Sequence, residues 1–212
     1  MRTFKVIALI VIMMALLIAT KKEGDMDEVK FDQMLYPTVR VELNSGGTGT
    51  GVVIYSGGGI SIILTAKHVM QRALQAKIVT FPEESEYHAV LLRKSKDYDL
   101  ALLVMDHEHP YVARFASDPK LKVYDTIWKV GCGNSLNPYP SKGLVSNFYE
   151  EVIQIDTNTT FGDSGGPIFK KVGDNYELVG IIQAVAMLDT ATPIYHIGIA
   201  HDWHSIADFL VR

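Results

Sequence analysis

An all-β fold of two six-stranded antiparallel β-barrels is predicted by three observations. Twelve short runs rich in Val, Ile and Leu are spread along most of the chain, with little helical periodicity between them. Clusters of Gly, Asn and Pro punctuate these runs. A chain so poor in helices has little else with which to cover its sheet edges, and closing each sheet on itself removes them. With 212 residues, 48% of them hydrophobic and 21% charged, there is enough apolar material for a substantial core. Cys132 is the only cysteine, so no intramolecular disulfide is possible and the core must hold by packing.

The folded body is expected over residues 34–212, with the first barrel at about 34–117 and the second at about 118–212. In the first half, segments 38–43, 50–54, 60–64, 77–81, 88–92 and 100–105 read as strands. Gly57-Gly58-Gly59 reads as a hairpin tip, since glycine accepts the positive φ that tight turns demand. Asp118-Pro119 marks the crossing between halves, because proline cannot continue a central strand. The second half offers strands at 126–130, 144–148, 151–156, 167–171, 178–186 and 194–200. Two helices are expected, one over 68–74 and a short C-terminal one in which Asp202 caps a segment burying Trp203, Ile206 and Leu210.

Ahead of the body, residues 6–19 form an unbroken apolar run, with Arg2 and Lys5 before it and Lys21 and Lys22 after it. This pattern predicts an N-terminal hydrophobic helix within 1–22, either a signal peptide or a signal-anchor, followed by a charged tether over 23–33. An uncleaved anchor is preferred, since Leu17 and Ala19 match the small-x-small cleavage pattern imperfectly. Either reading places the body outside the cytoplasm, periplasmic or secreted, with membrane contact through this segment if it is retained. A net charge of -4 and a pI near 6.0 supply no basic field, so nucleic acid is not expected as a partner.

Three fragments carry chemistry: Thr65-Ala66-Lys67-His68, Asp99-Leu100-Ala101-Leu102 and Phe161-Gly162-Asp163-Ser164-Gly165-Gly166-Pro167. A histidine after an apolar run, an aspartate opening another and a serine between glycines are the parts of nucleophilic acyl transfer. The first two fall in the first half and the serine in the second, so they can meet only in a cleft between barrels. Other polar clusters are weaker. His107-Glu108-His109 lies beside Pro110 without the helical spacing of zinc peptidases, and His201 with His204 is too few ligands for a closed metal site. Neither metal nor cofactor is expected. Cys132, between Gly131 and Gly133, reads as a small buried side chain at a strand end.

The order His, Asp, Ser is that of the chymotrypsin-like double barrel. From about Thr38 to the C-terminus the chain resembles the trypsin-like serine proteases, and among them the bacterial Deg-type, HtrA-like protease domain. The likeness rests on the three fragments together with Gly47-Thr48-Gly49-Thr50-Gly51-Val52-Val53-Ile54, Gly143-Leu144-Val145-Ser146 and Gln154-Ile155-Asp156. It implies a serine endopeptidase acting on exposed or unfolded extracytoplasmic polypeptide, with Ser164 as nucleophile, His68 as general base and Asp99 orienting the imidazole. Asp97 is a rival for the last role, but only Asp99 directly opens the Leu-Ala-Leu strand of the family pattern. The amides of Gly162 and Ser164 are the implied oxyanion donors. Asn158, Gln183 and Val185 are the implied specificity residues, and Val185, where trypsin carries glycine, narrows the pocket toward small or medium aliphatic residues. In activated digestive proteases the aspartate before the serine pairs with a newly cut N-terminus. No Ile-Val-Gly-Gly start exists here, so the partner of Asp163 is left open, and no sequence follows Arg212 for a PDZ domain. A catalytically silent peptide-binding module, or a self-processing protease or esterase, is the alternative on the same fold.

Overall fold

Alternating burial along short β-branched segments builds the first barrel in the computed structural model, which describes residues 28–212 apart from Asp118 and Glu151. Its strands are β1 (Thr38–Glu42), β2 (Thr48–Gly57), β3 (Ile60–Ala66), β4 (Gln75–Thr80), β5 (Ser85–Lys94) and β6 (Leu100–Met105). They close in the order β1-β2-β3-β6-β5-β4 with every pairing antiparallel. Val39, Val41, Ile63, Ile78, Leu103 and Met105 fill the interior. The hairpin tip falls where three glycines predict it: Gly58 and Gly59 link β2 to β3 with φ of +67° and +87°.

The second barrel comprises β8 (Thr126–Gly131), β9 (Tyr139–Tyr149), β10 (Val152–Asp156), β11 (Pro167–Val172), β12 (Asn175–Met187) and β13 (Pro193–Asp202). Their order is β11-β8-β9-β10-β13-β12, and the β11–β12 pairing closes it around Ile127, Val145, Ile155, Ile168, Val179 and Ile182. A two-residue strand, β7 (Arg114–Phe115), lies parallel to β12 outside this ring. Between the barrels a further core joins Val52, Leu64 and Leu102 of one to Val130, Phe169 and Ile181 of the other. Burying both barrels against a shared layer fixes their relative position, so a cleft between them keeps one shape.

Among the described residues, three α-helices accompany the strands: α1 (Glu28–Leu35), α2 (Lys67–Met70) and α3 (Trp203–Val211). Asp202 caps α3 as the sequence predicts, its Oδ1 accepting from the Ser205 amide at 3.1 Å, while Ile206 and Phe209 are buried beneath it. Trp203 and Leu210 pack only partly against the core. The helix expected over 68–74 stops at Met70, because Gln71 turns to φ +43° and its amide returns to the His68 carbonyl. Several strands outrun their expected limits at bulges, at Val53/Tyr55 in β2 and Leu91/Arg93 in β5, which shift the side-chain alternation and end a period-two window early. Part of the expected tether is α1, which docks through buried Met34 and through Gln33 Oε1 accepting from the Tyr176 amide at 3.0 Å. The hydrophobic segment within 1–22 lies outside the described residues. Among the described residues no helix is long and apolar enough to cross a membrane.

The side chains of His107-Glu108-His109 diverge. His107 stacks on Tyr87 at 4.0 Å, Glu108 accepts from the Gly59 amide, and buried His109 donates from Nε2 to the Tyr36 carbonyl at 2.8 Å. Burial holds the His109 imidazole below its ordinary proton affinity, since the charged ring would lose water. The unfolded chain therefore binds more protons than the folded one just below about pH 6.5, and stability from this group is lost as pH falls through that window. Melting temperatures should decline from pH 7 toward pH 5, and His109→Gln should flatten that decline when followed by circular dichroism.

Candidate active site

The register of the first barrel brings its two polar candidates together. Ala66 at the end of β3 pairs with Leu100 at the start of β6, so His68 just beyond one strand faces Asp99 just before the other. The Lys67 amide donates to the Asp99 carbonyl at 3.0 Å and the His68 amide to Asp99 Oδ1 at 2.9 Å. His68 Nδ1 then lies 2.5 Å from Asp99 Oδ2, a short charge-assisted hydrogen bond. With its proton on Nδ1, the neutral ring keeps a basic Nε2 directed away from the carboxylate. The His68 side chain is 50% exposed and Asp99 only 16%, so the imidazole meets solvent while the carboxylate is sheltered.

Ser164 is carried by a loop between β10 and β11. Gly162 adopts φ +98° and Gly165 φ +85°, in the left-handed region that side-chain-bearing residues avoid. A Cβ at Gly165 would also lie 2.1 Å from the Thr50 carbonyl oxygen, so the serine loop approaches β2 as closely as bare backbone allows. The amides of Gly162 and Ser164 donate to no protein acceptor among the described residues. Ser164 Oγ donates to the Gln183 carbonyl at 3.2 Å and makes no hydrogen bond to His68 in this conformation. Asp163 is fully buried and pairs with Lys129 of β8.

A cleft of about 420 Å³ brings His68, Asp99 and Ser164 together between the barrels. Gln183, Ala184, Val185 and Met187 of β12 form one wall, and Thr160 with 59%-exposed Phe161 forms the rim. Two of the three expected specificity residues, Gln183 and Val185, thus sit at the cleft. Asn158 is exposed and is not among the residues lining it. β11 pairs with β12 only as far as Ile181, and beyond the Ile182 contacts to Gly165 and Gly166 no strand pairs on that side of β12 among the described residues.

A family model, the trypsin-like peptidase domain, matches residues 49–181. The chain belongs to the trypsin-like peptidase family. A probable periplasmic DegP-like serine endoprotease of Pseudomonas putida is 32% identical over 141 residues, 63% of this chain and 28% of that protein. The Do-like HtrA serine protease of Bacillus subtilis is 28% identical over 156 residues, 66% of this chain and 34% of its own length. The chain therefore matches about a third or less of these relatives. A serine endoprotease structure from Yersinia pestis superposes with a TM-score of 0.73 over 89% of this chain and 66% of that one, at 23% identity, a likeness of fold.

Two residues of this trypsin-like peptidase domain that sequence reasoning missed hold the cleft across the barrel seam. Thr50 is fully buried in β2: its amide donates to the Ser164 carbonyl at 2.8 Å, its Oγ1 donates to the Gly162 carbonyl at 2.7 Å, and the same oxygen accepts from the Cys132 amide at 2.9 Å. His201 of β13 accepts the Asp99 amide on Nε2 at 3.1 Å. An amide can only donate, so this imidazole carries its proton on Nδ1. Cys132 is buried beside Thr50, and burial pushes its thiol up to about 12, which keeps it protonated and unreactive. The Gly-Thr-Gly-Thr-Gly run was the one signal that flagged Thr50 at all.

Thr50→Val removes the hydroxyl and leaves the Gly162 carbonyl and the Cys132 amide without that partner. Orphaning buried groups costs roughly 1–3 kcal/mol each, so a net loss of about 2 kcal/mol in folding stability is expected in denaturant titration. Turnover should fall at least tenfold, to about the extent that a disturbed oxyanion site lowers it. Thr50→Ser, which keeps the hydroxyl, should stay near the parent in both measurements.

Proposed function

We propose that the domain is a serine endopeptidase that cleaves peptide bonds through an acyl-enzyme intermediate, with Ser164 as nucleophile, His68 as general base and Asp99 as its orienting carboxylate. The observation that carries this reading is the meeting of the Asp99-bound His68 ring and Ser164 in one cleft, beside two backbone amides with no acceptor of their own. A rotation about χ1 of Ser164 exchanges the Gln183 carbonyl for His68 Nε2, and staggered rotamers make such exchanges inexpensive. The hydroxyl then attacks the carbonyl carbon while its proton passes to Nε2. The Gly162 and Ser164 amides receive the developing oxyanion, the imidazolium returns its proton to the leaving amine, and water releases the acyl group by the same steps.

The unpaired side of β12 beyond Ile182 suits a substrate bound as an added strand, its backbone satisfied by β12 and one side chain lowered into the cleft. Apolar walls from Ala184, Val185 and Met187 support a preference for small or medium aliphatic residues at that position. Such a groove takes extended, exposed or unfolded polypeptide. The names of relatives described as periplasmic support an extracytoplasmic setting, with the N-terminal hydrophobic segment directing the domain there.

A fluorophosphonate probe should label the parent chain on Ser164, and Ser164→Ala should be unlabelled and hydrolytically silent; equal labelling of both removes this serine from the mechanism. His68→Ala should lower kcat by at least about 10²-fold, the scale of a lost general base, whereas parent-like turnover excludes this base. Val185→Gly should open the wall and shift cleavage in a peptide library toward larger aromatic side chains by about tenfold, the scale on which one pocket group discriminates substrates. A preference for Lys or Arg in the parent would contradict the proposed pocket.

A further inference from the structure

A fully buried lysine reaches the only carboxylate of the nucleophile loop. Lys129 and Asp163 side chains are both 0% exposed, and Lys129 Nζ lies 2.5 Å from Asp163 Oδ2. Lysine is almost never fully buried unless paired, and two desolvated charges persist only where geometry is good enough to compensate the lost water. Here the surroundings hold the ammonium and Asp163 Oδ2, while Asp163 Oδ1 is buried without a hydrogen bond. The Lys129 backbone is pinned on both sides, against Ile168 of β11 and Ser141 of β9, so the ammonium hangs from a fixed point. Its Nζ lies 4.7 Å from the centre of the Tyr139 ring, a cation–π contact. Gly131, two residues on and on the same face of β8, leaves room for the carboxylate: a Cβ there would come 2.2 Å from Asp163 Oδ1.

The carboxylate in turn shapes the loop. Asp163 Oδ2 also accepts from the Thr160 amide at 2.8 Å, the Asp163 amide donates to the Thr160 carbonyl at 3.1 Å, and the Gly166 amide donates to the Asp163 carbonyl at 2.8 Å. These bonds close a ring around Gly162 and its φ of +98° and run directly into Ser164. The direction of the Gly162 and Ser164 amides therefore depends on where Asp163 is drawn. Burial holds the Lys129 ammonium below its ordinary proton affinity, against the attraction of Asp163.

We propose that Lys129 is a positioning residue that holds residues 160–166 in the shape presenting the Gly162 and Ser164 amides to the oxyanion, so that the peptidase is competent as folded. Both partners of Asp163 Oδ2, the Lys129 ammonium and the Thr160 amide, come from within the folded domain. This inference rests on the proposed serine mechanism. Lys129 touches no reacting atom, so its removal should lower turnover while sparing substrate binding.

The test uses the full chain, confirmed intact by mass spectrometry, and compares the parent with Lys129→Met and with Lys129→Met/Asp163→Asn, in which no unpaired charge is buried. Near-ultraviolet circular dichroism and thermal unfolding report the fold; peptide hydrolysis gives kcat and KM; the fluorophosphonate probe gives the rate of serine modification. The untrimmed parent should hydrolyse peptide. The double variant should unfold cooperatively, keep KM within about threefold, and lose at least about tenfold in kcat and in labelling rate, short of the 10²- to 10³-fold loss of a whole oxyanion donor. The single variant should be at least as impaired; if it does not fold, the double variant decides. Parent-like kcat in the folded double variant would show that the pair only balances charge and would overturn the inference while leaving the serine mechanism standing. An untrimmed parent that neither hydrolyses peptide nor reacts at Ser164 would instead remove the serine mechanism and this inference with it.

Discussion

The hydrogen bond from the Thr50 amide to the Ser164 carbonyl is the constraint on which the rest of the site depends. His68 and Asp99 belong to one barrel and Ser164 to the other, so their geometry can be no better than the seam between barrels. Thr50 fixes that seam at backbone level, and its hydroxyl extends the link to the Gly162 carbonyl on one side of the serine loop and the Cys132 amide on the other. Gly165 permits the approach by having no side chain. The apolar layer shared by the barrels excludes water from around these bonds, which strengthens them and makes each costly to break. From the opposite side, His201 of the second barrel holds the amide of Asp99. Each half of the cleft is thus gripped by the other.

Two carboxylates, each 2.5 Å from a nitrogen partner, serve the cleft in different ways. His68 beside Asp99 is half exposed to solvent, so in the proposed mechanism its charge can change at moderate cost. The Lys129–Asp163 pair is dry, and a change of charge there would leave an uncompensated ion in the protein interior. The first is suited to carrying a proton and the second to holding a shape. Placing the fixed pair directly behind the serine and the variable pair in front of it separates the rigid part of the site from the part that must cycle.

Much of this was legible in the sequence because it is written locally. Short runs rich in Val, Ile and Leu marked all twelve barrel strands, three glycines a hairpin, Asp202 a helix cap, and three short fragments the residues that meet in the cleft. What stayed hidden is non-local. Thr50 meets Gly162 across 112 positions and His201 meets Asp99 across 102, and nothing in the residues themselves announces either contact. Lys129 was hidden for a different reason. Within Thr-Ile-Trp-Lys-Val-Gly a lysine reads as the solvated face of a half-buried strand, yet Trp128, Lys129 and Val130 are all buried, because one face of β8 packs the layer between the barrels through Trp128 and Val130 and the other meets the second-barrel interior at Ile127 and the serine loop at Lys129. The helix Glu28–Leu35 escaped notice because it begins within the charged stretch read as a tether, and the contacts that dock it, Met34 and Leu35 against the core and Gln33 with the Tyr176 amide, are non-local.

The same distinction bears on which polypeptides could enter the proposed site. β12 changes partners along its length: β11 covers one side as far as Ile181, β13 covers the other from Gly180, and beyond Ile182 the first side has no strand among the described residues. Apart from the Gln183 carbonyl, which accepts from Ser164 Oγ, backbone groups on that side are open to what enters the cleft. A strand within a folded domain has already committed its amides and carbonyls to neighbours and cannot satisfy that side without unfolding. An extended, unpaired segment can do so at once, with alternate side chains directed toward the wall of Ala184, Val185 and Met187. On the proposed function, selection of unfolded polypeptide would follow from hydrogen-bond supply before any side chain is read, with the apolar wall refining a choice that the backbone has already made.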